Sequence, residues 1–109
     1  MFEGSIVAQR LSKNRKLELM YMCFQYRDWC REIIMGCPDD RREVLQHKKD
    51  MVDSCCQIAG AEIASWLHKA VTEPGVTYTS LHSRGMPCGK NYFYKRRRIF
   101  FHLLDGLRR

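Results

Sequence analysis

The sequence predicts an all-α chain: a long antiparallel helical hairpin over residues 1–75, then two shorter helices about a glycine turn over residues 76–109. Three observations lead there. Lys13 to Met35 contains no Pro or Gly and sets Leu19, Met22, Tyr26, Trp29 and Ile33 at alternating three- and four-residue spacing, the seam of a helix packed along another. Arg41 to Val71 carries a second stripe, Leu45, Val52, Cys55, Ala59, Ile63, Trp66 and Ala70. The run from Lys90 onward divides on a helical wheel into an apolar face and a polar, cationic face.

Taken in order, Met1 to Ser12 has weak periodicity and reads as a loose arm or an early turn of helix. The first long helix is apolar on two sides over its N-terminal half, where Leu17, Met20, Tyr21 and Phe24 add a facet beside the seam. A helix with two apolar sides needs two partners, one within the chain and one from another unit, which points to a homodimer through the hairpin. Gly36 suits a left-handed stop, and Asp39 or Asp40 can cap the next helix. The connection is short, so the two helices should be antiparallel neighbours.

In the second helix, Lys48 interrupts the stripe, and Gln46, Asp50, Asp53 and Gln57 lie on the side away from it. Gly60, beside Ala59, Ala61 and Ala64, either admits a close backbone neighbour or marks a bend. Glu73-Pro74-Gly75 is a stop.

The charge is distributed unevenly. Residues 1–75 hold 11 Lys/Arg and 11 Asp/Glu, which cancel. Residues 76–109 hold 8 Lys/Arg against Asp105 alone, which leaves +7, the net charge of the whole protein. Cations gathered on one amphipathic element are the electrostatic signature of nucleic-acid binding. A solvated basic face gives the same count, so the pattern around it has to decide.

Other classes have less support. None of the six cysteines has a partner at the two-residue gap of zinc ribbons and redox motifs, and no histidine sits at finger spacing, so no metal or cofactor is expected. Reduced thiols serving as small buried hydrophobes are the expectation. His47, His68, His82 and His102 are scattered outside any acid, base or nucleophile pattern, so no enzyme is expected. The absence of a membrane-length apolar run and of a signal pattern after Met1 leads to a cytoplasmic expectation.

In the last third, Thr77 can cap a short helix with Tyr78 and Leu81 turned inward. Gly85 offers a positive-φ stop, Met86 an apolar plug, and Pro87-Cys88-Gly89 a bend into the basic helix. On that helix Phe93, Ile99, Phe100, Leu103, Leu104 and Leu107 share the apolar side, while Asn91, Tyr94, Lys95, Arg98, His102 and Asp105 share the polar one. Two helices about a glycine turn, the second with its polar face outward, form a helix-turn-helix.

Thr77-Tyr78-Thr79-Ser80-Leu81, then Gly85-Met86-Pro87-Cys88, then Tyr92 to Arg98 leading to Phe100 to Leu104 resemble region 4 of bacterial sigma factors. The chain is more particularly similar to small phage and mobile-element transcription regulators of the ArpU/RinA type, over about a third of its length. The first buried residue of the second helix falls one or two positions later than in the usual motif, which requires a longer turn or places Lys90 and Asn91 within it. The resemblance implies duplex DNA binding and transcriptional control, with no enzymatic activity.

On that reading the base-edge candidates are Lys90, Asn91, Tyr94, Lys95 and Arg98. Thr79, Ser80, Arg84, Arg96, Arg97, Arg108 and Arg109 fall to phosphates, with Arg96 equally suited to packing its stem and pairing its head with an acid of the hairpin. The expected partners are double-stranded DNA and a second copy of the chain, with RNA polymerase or a host nuclease as a possible protein partner. The competing reading is a protein-binding inhibitor of the anti-CRISPR kind, whose basic face grips an acidic or nucleic-acid-binding surface.

Overall fold

A computed structural model describes residues 11–108, with side chains described through Leu107. The described residues form helices and connecting turns with no strand, so the chain is all-α. Of the predicted arm, Met1 to Ser12, residues 1–10 lie outside them. Ser12 caps the first helix, α1 (Lys13–Cys23), by accepting the Arg15 N–H at 3.1 Å.

The predicted single helix from Lys13 to Met35 is in fact two. α1 ends at Phe24–Gln25, where the Gln25 N–H reaches back only three residues, to the Met22 carbonyl, and α2 (Tyr26–Met35) begins. The two pieces have different partners: α1 packs on the fourth and sixth helices, whereas α2 packs on the third. A tightened turn lets one apolar run serve both directions, which the spacing alone does not reveal.

Gly36 ends α2 at φ +100°, and α3 (Asp39–Ala59) follows at once. The predicted aspartate cap is absent: Pro38 holds the N-cap position, and Asp39 and Asp40 stand in the first turn, where carboxylates favour the positive end of the helix dipole. Across the connection, Arg41 donates to Glu32 at 2.7 and 3.2 Å. Farther along, Tyr26 donates to Asp53 at 2.7 Å, so contacts advance in opposite directions along α2 and α3. Lys48, at its seam position, sets its ammonium over the Trp29 ring at 5.7 Å from the centroid.

The second long helix is also interrupted. α3 stops at Ala59, Gly60 is extended and buried, and a 3₁₀ turn (Ala61–Ile63) leads to α4 (Ala64–Thr72). A Cβ on Gly60 would lie 3.6 Å from Cβ and Cγ of Arg96 and 3.2 Å from Ile63 Cγ1. Gly60 therefore serves as both the bend and the close approach, and the neighbour it admits is the stem of Arg96.

α5 (Tyr78–Ser83) and α6 (Lys90–Arg108) complete the chain. Thr77 and Ser80 make a reciprocal capping box at the start of α5. At its end the Met86 N–H bonds the Leu81 carbonyl and the Gly85 N–H bonds that of His82, with Gly85 at φ +107°. That is a Schellman closure, and its hydrophobic pair, Leu81 and Met86, is buried.

The core sits chiefly between α3 and α6, the pair in most extensive contact. Leu45, Val52, Cys55, Cys56 and Ala59 of α3 meet Phe93, Ile99, Phe100, Phe101 and Leu104 of α6 in one buried cluster, which α1 and α4 extend with Leu19, Cys23 and Leu67. No disulfide links the six cysteines. Burial pushes the thiols of Cys55 and Cys56 up, that of Cys55 to about 11, so both stay protonated and act as apolar filling.

Candidate nucleic-acid interface

The predicted interface is built on α6, whose placement rests on three fastenings. Arg96 crosses to the end of α3 and donates to the Ala59 carbonyl at 3.2 Å, a cation at the negative end of a helix. Its guanidinium also lies over the Tyr92 ring at 4.9 Å, and Tyr92 donates to Glu62 in the 3₁₀ turn. That hydrogen bond is the main reason the Glu62 carboxyl sits below its ordinary range. Of the two roles foreseen for Arg96, it occupies the structural one, with its head on the Ala59 carbonyl and its charge also felt by Glu62.

The second fastening joins α5 to α6. Tyr78 donates to the Cys88 carbonyl at 2.9 Å and lies against Phe93 at 5.8 Å and Tyr94 at 6.4 Å between ring centroids. His82 meets Tyr78 edge to face at 5.4 Å between ring centroids. Residues 84–89 separate the two helices and α6 starts at Lys90, so of the two alternatives the spacing left, the connection is the longer one and Lys90 and Asn91 lie in the helix.

The third fastening comes from α1. Arg15 is ion-paired with Asp105 and reaches Glu18 at 3.3 Å. This corrects the predicted polar face: Asp105 is buried beneath α1 instead of facing outward. The same crossing buries Phe101, which the wheel left out of the apolar side, while Leu107, predicted inside, is 56 % exposed.

The polar face of α6 is consequently divided. Its first nine residues present Lys90, Asn91, Tyr94, Lys95 and Arg98 to the outside. Beyond Arg98, His102 is half-buried and Asp105 is covered. Burial lowers the proton affinity of His102, with Asp105 opposing and Arg98 reinforcing the shift.

The remaining predicted contacts do not gather equally. Thr79 and Arg84 are exposed on α5 and at its end. Ser80 is half-buried, and its hydroxyl is engaged in the cap, accepting from the Thr77 N–H at 3.1 Å and donating to the Thr77 carbonyl at 2.9 Å. Arg97 lies over the Phe101 ring at 5.0 Å, and burial lowers its proton affinity. Ser80 and Arg97 are thus occupied within the fold, whereas Lys90, Asn91, Tyr94, Lys95 and Arg98 share one exposed strip. The side chains of Arg108 and Arg109 lie outside the described residues.

One polar cluster was not foreseen. Asp53 accepts from Tyr26 and lies 3.0 Å from His68 Nε2, and the Tyr26 and His68 rings meet edge to face at 4.5 Å. Burial, then the hydrogen bond to Asp53, raises the Tyr26 pKa. The wheel set Asp53 away from the α3 stripe; the signal that could have found this cluster is the seam position of Tyr26, a phenol that needs a partner when packed.

Among the described residues no group of His, Cys, Asp and Glu is arranged to hold a metal ion, and no helix is long and apolar enough to cross a membrane. No family model matches the chain, and neither does any curated protein or solved structure with which it was compared.

Proposed function

We propose that this chain binds duplex DNA through the exposed first half of α6, with α5 and α6 acting as a helix-turn-helix on a helical-hairpin support. The observation that carries the reading is the concentration of exposed cations on that surface. Arg84, Lys90, Lys95 and Arg98 are exposed, and the one carboxylate after residue 75, Asp105, is buried and joined to Arg15. Residues 90–98 rise about 12 Å along the helix axis, which suits the width of a major groove. Asn91 and Arg98 supply the side-chain types that pair bidentately with adenine and guanine, each worth about 1–3 kcal/mol of discrimination. A regulatory role of the phage or mobile-element kind rests on the sigma-region-4 resemblance of Thr77 to Leu104.

Replacing Lys95 and Arg98 together by Ala tests the reading in a fluorescence-anisotropy titration with duplex DNA. The expected result is weaker binding with a salt dependence flatter by about two counterions. Unchanged binding removes this face from the account.

Self-association is the second part of the proposal. Leu17 is 37 % and Tyr21 63 % exposed on α1, with Met20 and Phe24 half-buried beside them, so the surplus facet is only partly covered by the described residues. A dimer buries it, and light scattering should give twice the chain mass; a monomeric mass at working concentration excludes it. A protein-binding inhibitor is the competing reading, favoured by Ile34 and Met35, which are 82 % and 80 % exposed at the end of α2. A protein that shows no DNA binding near physiological salt would support it.

A further inference from the structure

Where α1 crosses α6 a cleft of about 240 Å³ opens, lined by Leu11, Lys16, Arg98, Phe101 and His102. Among the described residues every ionisable group on its wall is a base, and no carboxylate joins them. The acids nearest in sequence are occupied, because Asp105 and Glu18 both engage Arg15. Among the described residues neither Lys16 nor Arg98 has an ion-pair partner.

Two cations held together in a partly dehydrated cleft repel each other, and the repulsion is felt at Lys16. Its proton affinity is lowered first by burial and then by Arg97 and Arg98. Leu11 and Phe101 give the cleft an apolar wall, where the attraction for a counter-charge is stronger than in water. Such an arrangement is relieved by an anion.

We propose that this cleft is a binding site for a phosphate group, held by Lys16 and Arg98 with His102 as a third donor. The planar fork of Arg98 matches two phosphate oxygens, the Lys16 ammonium supplies a point charge, and the His102 imidazole presents one N–H when neutral and two when protonated. The volume is below the roughly 300–1,000 Å³ of sites for drug-sized ligands, so it suits a phosphate or pyrophosphate group. The phosphate has two possible sources: a small phosphorylated ligand, or the backbone of the nucleic acid gripped by α6. The site shares Arg98 with the DNA reading and in part rests on it, whereas Lys16 belongs to α1 and to none of the base-edge positions, so Lys16→Gln separates the two.

Calorimetric titration with inorganic pyrophosphate at constant ionic strength is the test, performed on the intact protein, Lys16→Gln, Arg98→Gln and Lys13→Gln. Lys13 is exposed on the same helix outside the cleft and serves as the control. The expected result is saturable binding, weakened about tenfold by either cleft substitution and unchanged by the control. A parallel DNA titration separates the sources. If the phosphate belongs to the backbone, Lys16→Gln flattens the salt slope by about one and pyrophosphate displaces the duplex. If it belongs to a small ligand, the slope is unchanged. Absence of saturable pyrophosphate binding together with an unchanged salt slope, or equal binding by the protein and both cleft variants, would overturn the proposal. Near-native far-ultraviolet circular dichroism of Lys16→Gln and Arg98→Gln confirms that a loss is local.

Discussion

The hairpin and the tail treat charge in opposite ways. In α2, α3 and α4 the polar side chains answer one another: Arg41 with Glu32, Arg27 with Glu73 at 3.2 Å, and Tyr26 and His68 with Asp53. In the tail the acids are nearly absent, and Arg84, Lys90 and Arg98 have no ion pair with any described residue. Exposed pairs such as Arg41–Glu32 contribute little to stability, so their service is to neutralise a surface. A surface left without that neutralisation is one that an external anion can complete. The contrast runs along the polar side of α6 itself, where Asp105 in the C-terminal half is closed by Arg15 while the N-terminal half remains open.

The largest expected effect follows from uncoupling the two regions. Phe100 is fully buried between α6 and the hairpin, and Phe100→Ala should cost about 3–5 kcal/mol in denaturant unfolding. A cost below about 1 kcal/mol would mean that the tail does not depend on the hairpin for its core.

A smaller loss is expected from Gly60→Ala, where the added methyl group meets Ile63 Cγ1 at 3.2 Å beside the Arg96 stem. Crowding of this kind costs about 1 kcal/mol when neighbours can shift by a few tenths of an ångström. The same measurement on Gly89→Ala, which has open space around the new methyl group, provides the comparison. Equal losses would show that Gly60 is not where α6 seats against the hairpin.

The smallest effect concerns pH. Burial depresses the His102 pKa in the folded chain, opposed by Asp105 and reinforced by Arg98, with Lys16 on the facing wall of the cleft. The unfolded chain therefore binds the proton more readily, and stability should fall as pH drops from about 6.5 toward the folded-state value, then level off. His102→Asn should flatten that segment of a thermal-unfolding series; an unaltered pH dependence would assign it to other groups. Pyrophosphate in the cleft should reduce the same slope by favouring the charged imidazole.

Much of the architecture was legible because it is written in local chemistry. Gly36 after Met35, Thr77 before Tyr78 and the Leu81–Gly85–Met86 closure each satisfy backbone groups within a few residues. What escaped is set by distant partners. At Gly60 the bend or close approach was readable but its partner was not, the stem of Arg96 36 positions later, and the turn at Phe24–Gln25 exists because α1 and α2 face different neighbours. A helical wheel assumes one buried side. α6 is covered by α3 and also by α1, so Phe101 and Asp105 move inward and Leu107 is left out. On the candidate interface, the clustering of Lys90, Asn91, Tyr94, Lys95 and Arg98 followed from helical spacing, whereas the engagement of Ser80 by its cap and of Arg97 by Phe101 required the fold.

The central claim is that the tail, and not the hairpin, carries the contact with nucleic acid. The most direct measurement is the salt dependence of binding to random duplex DNA for three proteins of known fold content: the intact chain, Lys90→Ala with Arg98→Ala, and Arg27→Ala with Arg31→Ala. Each variant removes two positive charges, one pair from the open face of α6 and one from the exposed side of α2. The account predicts a steep slope for the intact chain, flattened by about two in the tail variant and unchanged in the hairpin variant. Equal slopes for the two variants, or no binding by the intact chain near physiological salt, would contradict it.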